Sequence, residues 1–385
     1  MRAGRYVKQP TGYRAFIPAV LPPDPPIVLD GELTRLLSDA DRALGRLDGV
    51  ATVLPNPDLF VAMYVRQEAV LSSQIEGTQS TLQDVLAYEV DANQSAQPSD
   101  VEEVVNYVAA MNHGLRRLSE LPVSLRLIKE IHERLMSGVR GSEMQPGEFR
   151  RSQNWIGPQG CTLNGADFVP PPPHEMHQAL DNLEWFIHQR DSFPLLIQCA
   201  LVHAQFETIH PFLDGNGRVG RLLITFLLCE QKILLKPLLY LSHYLKSRKA
   251  EYYDRLTAIR VDGDWEGWLK FFLRGVYEVS LSATETARRI LALRERHRQQ
   301  ISEAFASASN ALKLHDRMFD KPTFSVGEAS DVMGCAFGTA NTIVEKLEEL
   351  GLVREITGQE RNRRYQYEPY VRLFDPENLT IERDQ

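Results

Sequence analysis

The segment His210-Pro-Phe-Leu-Asp-Gly-Asn-Gly-Arg-Val-Gly-Arg221 gathers a titratable base, a carboxylate, glycines and two arginines in one short stretch. Gly215 and Gly217 flank Asn216 and let the backbone take positive φ, so several N–H groups can converge on one point. The apolar run from Leu222 follows at once, so the loop opens a helix whose N-terminus favours an anion. Arg218 and Arg221 stand three apart in its first turn and can reach the same side. Two guanidiniums and a nest of amides suit a polyphosphate. Asp214 has the wrong sign for that ligand unless Mg²⁺ lies between them. His210 can take a proton from an incoming hydroxyl. A metal site built from His203, Glu207 and His210 is the competing chemistry, but it leaves the glycines and arginines without a purpose. His203 and Glu207 are therefore read as packing residues that brace the loop.

The positioning elements read as mainly helical. Apolar residues recur at three- and four-residue spacing from Leu33 to Leu47, and a second helix runs from Asn56-Pro57 to Ile75. Further helical patterns cover about 100–118, 123–138, 175–189, 194–208, 217–232, 238–245, 249–261 and 264–300. Residues 1–30 are Pro-rich and read as an arm. Arg151–Gly157 and Ala166–Pro170 are short β-prone runs around a turn-rich centre, which predicts a hairpin serving as a lid. Prolines 170–173 delay the next helix to His174. Near Lys321-Pro322 the pattern changes to helix (Phe324–Val332), turn, helix (Phe337–Leu350), strand (Leu352–Ile356), turn and strand (Arg363–Tyr367), the order of a winged helix.

Charge and composition bound the function. A formal net charge of −8 argues against whole-surface binding to nucleic acid or anionic membrane. No apolar run reaches the length of a bilayer span, and the N-terminus lacks a signal-peptide core. Cys161, Cys199, Cys229 and Cys335 form no CxxC pair, which suits buried thiols in a reducing cytoplasm.

The loop matches at every defined position the signature HxFx[D/E]GNGRxxR, and the chain resembles the Fic family over roughly 60–300. The resemblance implies a Fic-type helical core with a β-hairpin flap, and the C-terminal winged helix adds to it. On this basis residues 1–100 form an N-terminal region with an inhibitory helix at about 59–77. The catalytic core would be 101–300, with the flap at 151–170 and the loop at 210–221, and the winged helix 315–375. The implied activity is transfer of AMP from MgATP to a Ser, Thr or Tyr hydroxyl of a target protein, this chain included. His210 would be the base and Asp214 the Mg²⁺ ligand. Gly215, Asn216 and Gly217 would form the anion nest, with Val219 and Gly220 in the same nucleotide-binding turn. Arg218 and Arg221 would grip the β- and γ-phosphates, and Tyr252 would line the adenine pocket. Ile156 and Gly157 would pair with target backbone as an added strand.

Ser72-Ser-Gln-Ile-Glu76-Gly77 resembles the family's inhibitory motif. Ser72 and Glu76 lie one turn apart, and a carboxylate at Glu76 can pair bidentately with Arg221 and take the place of the γ-phosphate. Removal of AMP by the same site, with Glu76 positioning water, is the alternative reaction. Phosphoryl transfer of the Doc type fits less well, because Arg221 is present. A DNA-binding regulator that senses nucleotide is the alternative of another class; Arg361, Arg363 and Arg364 favour DNA, while Glu345, Glu348 and Glu349 oppose it. The sequence leaves open the target and the oligomeric state, a homodimer covering the inhibitory helix being one arrangement.

Overall fold

The computed structural model describes residues 2–53, 57–89, 99–158, 160–190 and 193–375. Its centre is a pair of helices that are apolar nearly all round, as helices enclosed by others must be. One is α7 (Leu195–Ile209), buried at every position from Leu196 onward; the other is α8 (Asn216–Glu230), buried from Arg218 to Leu228. The segment singled out in the sequence supplies the short connection between them, 210–215, and the first turns of α8, Asn216–Arg221.

Earlier and later helices wrap this pair. The series is α1 (Gly31–Val53), α2 (Pro57–Ile75), α3 (Leu82–Tyr88), α4 (Ser99–Arg117), α5 (Leu125–Leu135) and α6 (Pro173–Ile187). After α8 come α9 (Ser242–Ser247), α10 (Lys249–Asp262) and the long α11 (Trp265–Ala304), which packs along α1. α4 can approach α8 closely because position 114 is glycine: a Cβ there would overlap the Phe226 ring. On α2, the buried Glu68 accepts from Ser242 Oγ (2.5 Å), Ser242 N–H (3.1 Å) and the Tyr107 hydroxyl (3.3 Å), tying α2 to α9 and α4. Burial pushes its carboxyl up to about 7 despite those donors.

The sequence reading holds for most helices and needs correction at several places. Residues 1–30 carry an antiparallel hairpin, β1 (Gly4–Lys8) with β2 (Arg14–Pro18), and Phe16 N–H donates to Val169 O (2.9 Å) beside the flap. α3 was not anticipated; its start is fixed by a Thr81–Asp84 capping box. α6 begins at Pro173 rather than His174, because proline suits the first helical position. The flap is reduced to a single antiparallel bridge, Ile156 with Phe168, around a 3-10 turn at Leu163–Gly165.

Beyond α11 the order is α12 (Ser309–Arg317), β3 (Thr323–Ser325), α13 (Val326–Met333), α14 (Phe337–Glu349), β4 (Arg354–Glu355), β5 (Arg364–Gln366) and α15 (Glu368–Val371). The strands form one antiparallel sheet in the order β3-β5-β4. α12 was not expected, and Phe324 belongs to β3 rather than to the helix that follows. Of the opposed charges noted in this segment, Arg363 lies 3.6 Å from Glu345, while Arg364 lies 3.6 Å from Glu328 of α13. Tyr367 hydroxyl joins His297 Nδ1 (2.7 Å) on α11 to His315 Nε2 (3.2 Å) on α12. The Phe374 ring packs edge-on against Tyr64 of α2 (5.2 Å). Among the described residues, no helix is long and apolar enough to cross a membrane.

The α4–α8 approach can be tested directly. Gly114→Val should lower the urea midpoint, costing about 1–3 kcal/mol as overpacking against Phe226; an unchanged midpoint would show that the two helices part freely.

Candidate active site

α7 ends at His210, a non-glycine residue in the left-handed conformation (φ 50°, ψ 61°). That conformation is uncommon for a side-chain-bearing residue and persists only where the surroundings impose it. Here Arg150 imposes it. Fully buried, it donates from Nε to His210 O (2.9 Å) and from Nη2 to Pro171 O (2.5 Å), and its own N–H reaches Pro211 O (2.9 Å). Asn154 Nδ2 adds bonds to Phe212 O (2.8 Å) and His210 O (3.3 Å). Neither residue was singled out in the sequence, where Arg150 looks no different from Arg151.

The loop's other half is fixed as firmly. Asn216 exchanges two side-chain hydrogen bonds with the Phe212 backbone, each 2.8 Å, so it shapes the turn and its amide group is already committed. The buried Phe212 ring stacks on His132 (3.7 Å, 5°). His132 Nε2 donates to Asp214 O (3.1 Å), while Nδ1 accepts from Gly147 N–H (2.9 Å). Gly215, at φ 75°, caps α8. The amides of Asn216, Gly217 and Arg218 open that helix, where no preceding turn supplies acceptors.

Glu76 answers this positive end. It lies on the first turn of α8, so that a Cβ on Gly217 would collide with its Oε1. Arg221, 2% exposed, donates from Nη2 to Glu76 Oε1 (2.5 Å) and Ser72 O (3.0 Å), and from Nε to Ser72 Oγ (2.8 Å). The expected bidentate pairing is thus replaced: Glu76 engages Nη2 alone, and Ser72 accepts from Nε and from that same Nη2. Partial burial disfavours the Glu76 carboxylate, whose side chain is 32% exposed, yet Arg221, with Arg218 beyond it, holds its pKa below the usual range. Arg218, also 2% exposed, donates from Nη1 to Glu103 Oε2 (3.0 Å), a carboxylate on α4 that the sequence did not mark.

Other expectations meet different outcomes. Val219 points into the core and its N–H bonds Gly215 O (3.1 Å), so it offers a ligand no donor. Gly220 is needed for packing, since a Cβ there would collide with Glu207 Oε1, and its carbonyl accepts from His203 Nδ1 (2.9 Å). His203 Nε2 accepts from the Tyr252 hydroxyl (2.8 Å). Tyr252, expected along the adenine pocket, is 1% exposed and committed to that chain; the exposed ring beside it is Tyr253, at 40%. Ile156 exchanges both backbone bonds with Phe168 (2.8 and 3.0 Å) and is partly exposed, while Gly157 sits where a Cβ would meet Cys161 Sγ.

With both His203 nitrogens occupied, a metal site there does not form, and no group of three or more His, Cys, Asp or Glu gathers among the described residues. Asp214 is the loop's acid, with its side chain 42% exposed and 3.9 Å from Arg218. One accessible carboxylate beside a helix N-terminus and two arginines suits Mg²⁺ carried by a phosphate ligand, since that ion takes its remaining ligands from phosphates and water.

Two family models match the chain: Fic/DOC family N-terminal at residues 34–116, and Fic/DOC family at 122–228. The chain belongs to the Fic family. It is 28% identical over 175 residues to a probable protein adenylyltransferase of Aquifex aeolicus, covering 46% of this chain and 51% of that one. Against the protein adenylyltransferase Fic of Aedes aegypti it is 30% identical over 151 residues, 39% of this chain and 27% of that one. It thus spans about half or less of the curated relatives' lengths. A crystal structure of a Fic family protein from Desulfovibrio desulfuricans shares the fold, with a TM-score of 0.56 at 19% identity over 89% of this chain and 97% of that one.

Within this Fic site the histidines are neutral. Burial, with Arg150 nearby, pushes His210 down to about 4, and burial does the same to His132 and His203. His297 and His315 are likewise lowered by burial, to about 4 and about 3. Glu207, buried with Oε1 unpartnered, is raised to about 7, as Glu68 is. Unfolding lets the histidines take protons below 6.5, so their contribution is present above that pH and falls away toward 4. The two carboxylates act oppositely, losing their contribution as pH rises from 4.5 through 7. Five histidines outweigh two carboxylates between 4.5 and 6.5, so the urea midpoint should drop as pH is lowered from 6.5 to 5. A midpoint that rises over that interval would contradict the neutral assignments.

Proposed function

We propose that this Fic protein transfers AMP from MgATP to a hydroxyl of a target protein, and that Glu76 restrains the reaction. The observation that carries this reading is the joining of a neutral His210 to an anion site one turn away, where Glu76 already occupies the helix terminus and Arg221. The neutral imidazole accepts the hydroxyl proton as the oxygen bonds to the α-phosphorus, and pyrophosphate departs. Arg221 would hold the terminal phosphate and Arg218 the one before it, fixing the α-phosphorus in line. Asp214 would hold Mg²⁺, which when bound neutralises phosphate charge. With Glu76 in place, the terminal phosphate lacks its guanidinium and ATP is misaligned.

The reverse reaction, removal of AMP, has one observation in its favour: Glu76 uses only Oε1 on Arg221, which leaves Oε2 to orient a water molecule. Ile156 gives both backbone groups to Phe168, so the exposed flap edge at Gly157 is read as the place where target backbone aligns, and residues 315–375 are read as a winged helix. The internal pairing of Arg363 and Arg364 favours protein contact over DNA for that unit. A cytoplasmic location suits both the ATP substrate and the free thiols.

Glu76→Gly should raise self-labelling from α-phosphorus-labelled ATP by about tenfold or more, the scale of one lost charge-assisted contact. His210→Ala in that background should lose about a hundredfold, as expected for a missing general base. Intact-mass analysis should show an AMP adduct. Equal labelling of wild type and Glu76→Gly would refute the restraint, and a phosphate adduct would refute the transferred group.

A further inference from the structure

The two arginines of the loop are held in different ways. In Arg221, Nε and Nη2 both have strong acceptors, supplied by Ser72 and Glu76. In Arg218 only Nη1 has one, Glu103 Oε2 at 3.0 Å. Nη2 faces a thioether, Met136 Sδ at 3.4 Å, and stands 3.9 Å from Asp214 Oδ1; Nε is buried with no partner. Sulfur is a weak acceptor. A guanidinium 2% exposed, anchored at one nitrogen and left weakly partnered at the next, is held without being saturated.

Glu103 is suited to that anchoring. Its side chain is also 2% exposed, and its second oxygen lies 3.5 Å from Arg140 Nε, which is largely exposed. Asp214, Arg218, Glu103 and Arg140 therefore alternate in sign from the loop out to the surface. Burial raises the Glu103 carboxyl while Arg218 and Arg140 lower it, and Asp100 and Asp214 add repulsion. The carboxylate comes from α4, 115 positions before Arg218, so the placement of this arginine depends on how α4 packs against α8.

We propose that Glu103 is a positioning residue for nucleotide binding: it fixes Arg218 through Nη1 and so presents Nη2, beside Asp214, to a phosphate oxygen of the nucleotide. It touches no substrate atom itself. The phosphate replaces the thioether as the acceptor at Nη2 and leaves the Glu103 bond intact. This inference rests on the proposed nucleotide site but concerns the arginine that Glu76 does not engage. A carboxylate acting only by its charge would repel a triphosphate, so removing the charge would tighten binding. A carboxylate that positions Arg218 predicts the opposite sign.

The test compares Glu103→Gln and Glu103→Asp in the Glu76→Gly protein. Glutamine keeps an oxygen acceptor for Nη1 without the charge, and aspartate keeps the charge at a shorter reach. Glu103→Gln should raise KM for ATP by about tenfold, the scale of one weakened charge-assisted contact, with a smaller change in kcat. Glu103→Asp should recover part of the loss. Isothermal titration of MgATP into the Glu76→Gly, His210→Ala protein, with and without Glu103→Gln, reads the same tenfold change in Kd without turnover. Thermal melting of each variant shows whether the fold is retained. An unchanged or lowered Kd and KM in a folded Glu103→Gln protein would overturn the assignment. Failure of Glu76→Gly to transfer AMP would refute the proposed reaction, while the Kd comparison would still decide the role of Glu103.

Discussion

The first turn of α8 concentrates positive charge inside the protein. Its amides have no helical acceptors, and Arg218 and Arg221 are each 2% exposed. An uncompensated buried charge costs several kcal/mol, so each guanidinium must be met by a partner from elsewhere. α4 supplies Glu103 to one, and the end of α2 supplies Ser72 and Glu76 to the other. The folding of α2 and α4 against α8 follows from this need as well as from apolar burial, and Gly114 gives α4 the clearance to meet it. The same requirement gives Glu76 two roles. It neutralises Arg221, and it lies against the opening turn of α8 at Gly217.

A second constraint governs the base. His210 sits in a left-handed turn, and Arg150 and Asn154 commit their donors to that turn. His132 and His203 brace the two sides, each with one nitrogen donating to a loop carbonyl and the other accepting. Those bonds fix the tautomers, and burial keeps the rings neutral. The loop is thus assembled almost wholly from groups already committed to one another, Asp214 Oδ1 with the Gly215 N–H (2.6 Å) among them, leaving the imidazole of His210, the second Asp214 oxygen and the opening amides of α8.

Much of this arrangement was legible in the sequence. The helical period placed most helices, and the clustering of His210, Asp214, Arg218 and Arg221 marked the turn at which α8 begins. What escaped notice had a common cause. Arg150 acts 60 positions from His210, and Glu103 acts 115 positions from Arg218. Each is a solitary polar residue whose meaning depends on tertiary contact. Neighbouring residues on a helix point about 100° apart, and the sequence does not say that Tyr252 is the buried ring and Tyr253 the exposed one. The N-terminal hairpin was hidden by its prolines, which drew attention from the paired runs around Tyr6 and Phe16. The Glu76 contact was anticipated, but Ser72's share of Arg221 needed the geometry.

Arg150 carries a consequence for modularity. The twelve-residue string that follows α7 and runs into the first turns of α8 is not a self-sufficient cassette, because the torsion at its first residue is set by an arginine lying before the flap. Transplanted alone onto another pair of helices, the string would bring its side chains but not the backbone bend that aims the imidazole. Any functional graft would have to carry the flap-side segment from Arg150 to Asn154 with it. The smallest portable unit of this chemistry is therefore discontinuous in the chain.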